Sequence, residues 1–136
     1  TDRLDEFARG ELDQHHHKVV RRGRKFDSLD PHRLHRLRIA IKKLRYAAEF
    51  LRPAFASAAA KAYIEATARL QGALGDMNDR TVARQVLADL ATAARPTEDV
   101  KKPLKQLAKQ ADAGGKRRRR KLERAWKSFS KAERFW

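Results

Sequence analysis

Between Asp30 and Arg52 the chain reads DPHRLHRLRIAIKKLRYAAEFLR, and within it His35, Arg38, Lys42 and Arg45 recur at steps of three and four. On a helix turning about 100° per residue these side chains fall on one stripe. Ile39, Tyr46 and Phe50 form an apolar line on its far side, where a surface helix would carry charge. The spacing therefore predicts a basic stripe flanked on both sides, lining a groove between packed elements, with Arg36, Lys43 and the alanines facing outward. Like charges crowded into such a groove repel unless an anion joins them, so anion binding is the chemistry expected. The competing reading is a solvated edge whose cations lay their stems over apolar neighbours.

A second block, KRRRRKLERAWKSFSKAERFW, closes the chain, and in it Arg117, Lys121, Arg124 and Lys131 gather to one side of a stripe formed by Leu122, Ala125, Trp126 and Phe129. Such a block also suits a nucleic-acid or localisation patch, but the interleaved apolar residues argue that it packs as a helix of the fold. The run His15, His16, His17 does not make a metal site, because consecutive helical residues point about 100° apart. His32 and His35 could share an ion, yet Arg33, Arg36 and Arg38 surround them with positive charge. No metal and no cofactor is expected. The chain has no glycine-rich phosphate loop, no HExxH, no paired carboxylates at active-site spacing and no nucleophile beside a base, so the expectation is a non-enzymatic protein.

Composition points the same way. Lys and Arg total 33 against 17 Asp and Glu, a formal net charge of +16, and 37% of residues are charged where about 25% is usual. A polyanion is the natural partner, and the long-range field does not discriminate among nucleic acid, an anionic membrane surface and an inorganic polymer. With no cysteine there is neither a disulfide framework nor a thiolate site, and nothing reports on redox compartment. There is no apolar run of membrane-spanning length and no signal-peptide pattern. At 136 residues and 41% hydrophobic content, one domain with a real core is expected. The chain begins at Thr1 without an initiator methionine, which suggests an excerpt or a processed product.

The elements that must position these residues are all helical, since no segment alternates with period two. Leu4, Ala8, Leu12 and Val19 mark a first helix to Val20, with His15 in the stripe between Leu12 and Val19 as a core-edge histidine. Lys18, Arg21, Arg22, Arg24 and Lys25 make its end basic, which complements the helix dipole. Gly23, Asp27, Ser28 and Asp30 supply a turn. Asp30 and Pro31 open the second helix, Leu34, Leu37, Ile41, Leu44, Ala48 and Leu51 form its core stripe, and Pro53 stops it. A third helix runs from Ala56 to Leu74 with Gly75 as its stop, and Asp76 to Asp79 form a turn in which Asn78 or Asp79 caps a fourth. That fourth helix buries Val82, Val86 and Leu90 with Ala83 and Leu87, and reaches about Ala94. After a break at Arg95, Pro96 and Thr97, a long helix with a soft middle at Gly114 and Gly115 carries the chain to its end. The fold class expected is an all-α antiparallel bundle of four to five helices.

His35, Arg38, Lys42, Lys43, Arg45, Tyr46 and Glu49, followed by Leu70, Gln71, Leu74, Gly75, Asn78 and Asp79, closely resemble the CHAD domain, the conserved histidine α-helical domain. The terminal Phe135 and Trp136 are similar to that family's ending, and the resemblance spans nearly the whole chain. It implies two similar helical bundles about a pseudo-twofold axis with basic residues lining a central channel, of which this chain looks like the second bundle alone. It also implies binding of inorganic polyphosphate, a cytoplasmic setting at polyphosphate granules and a triphosphate tunnel metalloenzyme as a frequent companion. An early suggestion for the family was metal chelation by its histidines. Guanidinium and ammonium groups favour the anion.

On that view Arg38 and Arg45 clamp phosphates, Lys42 and Lys43 add charge, and His35 donates according to pH. Arg117, Arg120, Lys121 and Arg124 supply an opposite wall, and Lys18 and Arg22 extend the surface, while Gln71, Asn78 and Asp79 are read mainly as structural. The alternatives are a nucleic-acid binder using the terminal basic helix, with Tyr46, Trp126 and Phe129 committed to packing, and a half-domain that docks another bundle or a second copy of itself.

Overall fold

The computed structural model describes residues 2–26, 30–93 and 97–136. Asp27 and Ser28 of the expected turn, the expected helix end at Ala94, and Arg95 and Pro96 of the expected break lie outside the described residues. The fold is all-α. It comprises α1 (Asp2–Gly23), α2 (Pro31–Leu51), a single 3-10 turn (Arg52–Ala54), α3 (Ala59–Ala93), α4 (Glu98–Asp112) and α5 (Gly115–Lys131), with no strand among the described residues. α1 packs on α2, α2 on α3, and α3 on both α4 and α5.

α2 follows its sequence closely. The Asp30 carboxylate accepts from the Arg33 backbone N–H at 2.8 Å, Pro31 occupies the first turn, and the helix gives way after Leu51 to the turn containing Pro53. Leu37, Ile41, Leu44 and Ala48 are buried, with Leu34 and Leu51 half-buried at the ends of the stripe. Two expectations for its other faces fail. Ala40, expected outward, is buried, because it lies beside Leu44 and Leu37 on the same helical face. Ile39, Tyr46 and Phe50, expected as the second wall of a groove, are 37%, 55% and 84% exposed, because no helix among the described residues packs over them.

In α1, Ala8, Leu12 and Val19 are buried as expected, but Leu4 is exposed and the buried histidine is His16. His15 is half-exposed beside Glu11 at 3.7 Å. Steps of four, three and four carry the stripe from Leu12 through His16 and Val19 to Gly23, so the histidine between Leu12 and Val19 that faces inward is one residue later than that expected. Each end of this stripe has a partner that requires it. His16 Nδ1 lies 2.8 Å from the Tyr63 hydroxyl, and Gly23 lies against the ring of Trp126, where a Cβ would overlap the indole. Tyr63, Phe129 and Trp136 close round the His16 ring, Phe135 packs against Tyr63 behind it, and Trp136 Nε1–H donates to Asp13 at 2.7 Å. The aromatic ending of the chain is thus a plug that joins α1, α3 and α5.

α3 is the largest departure from expectation. Gly75 does not stop a helix and Asp76 to Asp79 do not form a turn, for the chain stays helical from Ala59 to Ala93. Glycine ends a helix by adopting a left-handed conformation, and the positive-φ glycine among the described residues is Gly114, not Gly75. Contacts from other elements hold the segment in line instead. Asp76 pairs with Lys121 at 2.7 Å, Met77 packs on the core, and Gln71 accepts from Arg45 at 3.1 Å, so Gln71 braces α2. The buried residues of α3 all fall between Ala60 and Leu74. Val82, Val86 and Leu90 are about half exposed, so the expected core face of that stretch is not covered. Near the C-terminus the expected long helix is broken outright. Gly114 takes φ 77°, a value that only glycine adopts freely, and separates α4 from α5.

Two glycine substitutions should therefore act in opposite directions. Gly75→Ala adds a methyl group to a helix interior with nothing within 4 Å and should stabilise by about 0.5–1 kcal/mol, whereas Gly23→Ala forces the Trp126 ring aside and should cost about 1–3 kcal/mol. Urea unfolding measures both, and a destabilising Gly75→Ala would mean that the helix ends there after all. Burial, then the positive Arg134 and His17, push His16 down to about 4 from its ordinary 6.5, with Asp13 opposing. The folded state therefore takes up this proton later than the unfolded state. The stability that neutral His16 confers is complete above pH 6.5 and is lost as pH falls toward 4, approaching about 3 kcal/mol. His16→Asn, which keeps a hydrogen-bonding group but does not titrate, should flatten that part of the stability profile relative to the parent.

Candidate functional site

Cationic side chains from three helices gather around two adjoining hollows. The first is a small cleft of about 40 Å³ between α2 and α3, where Pro31, Leu34, His35 and Arg38 face Leu74, Met77, Asn78 and Thr81. It exists because α2 lays its core stripe on α3, so the residues one step round the helix reach the edge of that contact. His35 is exposed and Arg38 half-buried. Asn78 is part of this wall and does not cap a helix.

The second hollow, about 800 Å³, opens on the other side of Leu34 and Met77, which line both. Phe26, Leu34, Met77 and Leu122 form its apolar floor, and Arg80, Lys116, Arg117, Arg120 and Arg124 are among its cationic walls, with Asp112 as the acid present. The break at Gly114 positions it. That residue turns the chain so that the first turn of α5 begins at the rim, with no side-chain cap and no acidic residue in that turn. Unpaired backbone N–H groups and the positive end of the helix dipole are thereby added to the cations. Gly115 admits Arg80, since a Cβ there would stand 2.9 Å from the guanidinium. Arg80 bonds Asp112 at 3.5 Å through one Nη, and its Nε is buried with no hydrogen-bond partner. Asp112 is shared with Arg84 at 3.2 Å, so it neutralises Arg80 only in part.

The residues singled out from sequence are thus separated into groups. His35 and Arg38 line the cleft, while Arg117, Arg120 and Arg124 line the larger hollow. Arg45 is committed elsewhere on α2, donating to Glu49 at 2.9 Å and to Gln71 at 3.1 Å. Lys42 and Lys43 are exposed, and the Lys42 ammonium stands 5.9 Å over the ring of Tyr46. Tyr46 is therefore a surface ring and not a packed one. Lys121 bonds Asp76 and, with Arg124, borders a separate groove beside Arg69 and Gly72. Lys18 is half-buried on α1, and Arg22 donates to the backbone carbonyl of Arg36 at 3.3 Å, at the far flank of α2.

Arg80 was not anticipated. It lies in a segment that reads locally as a turn and cap, and its role depends on Gly115, 35 positions away in sequence. The available signal was the glycine pair immediately before KRRRR, which places a helix start, and not a soft helix middle, at the head of the most basic run.

Among the described residues no group of three or more His, Asp or Glu side chains is placed to hold a metal ion. No described helix is long and apolar enough to cross a membrane.

An all-α bundle with cations on the flanks of its second helix places the chain among basic helical domains. The family model of the CHAD domain matches residues 1–88, and the chain belongs to that family. The match covers α1, α2 and most of α3 and stops short of α4 and α5, so the basic α5 lies beyond it. Comparison with curated proteins and with solved structures finds no match.

Proposed function

We propose that this chain is a non-enzymatic module that binds inorganic polyphosphate along the face formed by α2, α3 and α5. The observation that carries the proposal is the common wall of Leu34 and Met77, across which the His35 and Arg38 cleft adjoins the hollow of Arg80, Arg117, Arg120 and Arg124. A linear polymer with a charge on every unit suits such a run of cations better than a compact ligand does, and each guanidinium fork donates to two phosphate oxygens. Membership of the CHAD family, whose domains are associated with polyphosphate, supports the same reading. The chain acts here as one helical unit equivalent to a single bundle of that family, and polyphosphate granules would be its place of action.

Affinity should fall linearly with salt on a double-logarithmic scale, through release of counterions from the polymer. Arg38→Gln with Arg120→Gln should weaken long-chain polyphosphate binding by about tenfold or more and reduce the salt slope, with helical circular dichroism unchanged. Equal binding by parent and double variant would refute the site. Titration against duplex DNA at fixed salt separates the nucleic-acid reading, which gains one element from the exposed Tyr46 and Phe50 rings.

The uncovered line of Ile39, Tyr46 and Phe50 favours a second role, docking of another helical bundle or a second copy of the chain. Sedimentation with and without polyphosphate measures this. A dimer that Phe50→Ser abolishes supports docking of a second copy, whereas a monomer under both conditions leaves only a different partner for that face.

A further inference from the structure

At the opposite flank of α2, five arginines from two helices converge with no apolar residue between them. Arg21, Arg22 and Arg24 come from the C-terminal end of α1 and the turn after it, and Arg33 and Arg36 from the first turns of α2, and together they line a hollow of about 480 Å³. At 100° per residue, Arg36 points about 160° away from Arg38, with the core stripe of α2 between them. One phosphate group therefore cannot touch both this hollow and the cleft of His35 and Arg38.

The fold holds these charges together at an electrostatic cost. Arg33 pairs with Asp30 at 3.9 Å, largely in solvent. Arg21, Arg24 and Arg36 have no ion pair with an acid among the described residues. The α1 carbonyl end offsets its own basic residues, but Arg33 and Arg36 stand at the positive end of α2, whose first turn contains no acid. Arg22 is drawn inward to bond the Arg36 carbonyl, and burial followed by the nearby Arg36 and Arg21 charges lowers its pKa from the ordinary value. Guanidinium stays charged under these conditions. A solvated charge run would spread its cations apart, whereas these surround one space.

We propose that this hollow is a second, independent oxyanion site that takes a compact condensed phosphate, such as a free oligophosphate or the end of a longer chain. Five guanidinium forks around one space offer more donors than a single monovalent anion can accept, and several adjacent phosphoryl groups match them. Among the described residues no aromatic ring lines the hollow, so it lacks the aromatic platform on which single-stranded bases stack. The site does not depend on the polyphosphate face proposed above.

Calorimetric titration of the full chain with inorganic triphosphate tests it, using Arg21→Gln/Arg36→Gln as one variant and Lys105→Gln/Lys127→Gln, exposed and outside both hollows, as a charge-matched control. Both residues of the first pair are exposed, so the fold should be retained. The first variant should bind triphosphate about tenfold more weakly or worse, and the second should bind it within about twofold of the parent. Removing two like charges should also raise the melting temperature without ligand and reduce the rise that triphosphate produces. Unchanged binding by the first variant, or a loss in the second as large as that in the first, overturns the assignment. Displacement of triphosphate by duplex RNA at equal phosphate concentration also overturns it, since the hollow would then read spaced rather than condensed phosphates. Long-chain polyphosphate titrated onto the Arg38→Gln/Arg120→Gln variant, which lacks the other face, distinguishes the sources, because a site for chain ends binds in proportion to ends and not to total phosphate.

Discussion

Mutual repulsion among 33 cations, offset by 17 acids, is the constraint under which this chain folds. The apolar core must outweigh that repulsion, and it does so with few large residues. Leu12, Val19, Leu37, Ile41, Leu44, Tyr63, Leu70 and Phe129 are fully buried, and alanines let the helices approach closely between them. Acids are placed where they hold helices together. Asp76 ties α3 to α5, Asp112 ties α4 to α3, and Asp13 anchors the terminal tryptophan. What is left over collects on the flanks of α2, and these concentrations of charge are where an anion gains most.

The aromatic plug shows how the same chain tolerates a polar group in its interior. His16 is buried because Tyr63 gives it a hydrogen bond and because it remains uncharged there, while burial pushes the Tyr63 hydroxyl up and keeps it protonated. A charged imidazole among Phe129, Tyr63 and Trp136 would lose its hydration, with Arg134 nearby to repel it. The plug thus joins structural integrity to the protonation state of one ring.

Local signals made much of this structure legible. The Asp30 and Pro31 entry, the Pro53 exit and the core stripe of α2 depend on neighbours within a turn or two, and each is found as read. Features that depend on distant partners were not legible. Gly75 and Asp76 to Asp79 favour a turn by themselves, whereas the Lys121 pair with Asp76 and the packing of Met77 are tertiary contacts that the local sequence does not show. His15 and His16 differ by one step of phase, which the Tyr63 hydroxyl decides. The grouping of cations was partly legible: periodicity put His35 and Arg38 on one stripe, but it could not show that Arg45 is braced by Gln71 or that Arg80 reaches α5.

Gly23 has one more implication. Its bare Cα lies against the indole of Trp126, and the Phe26 ring rests 5.8 Å from the same indole. A joint with no side chain on the α1 side has no rotamer there with which to absorb displacement, so any shift of α5 against the end of α1 falls on the Trp126 indole alone.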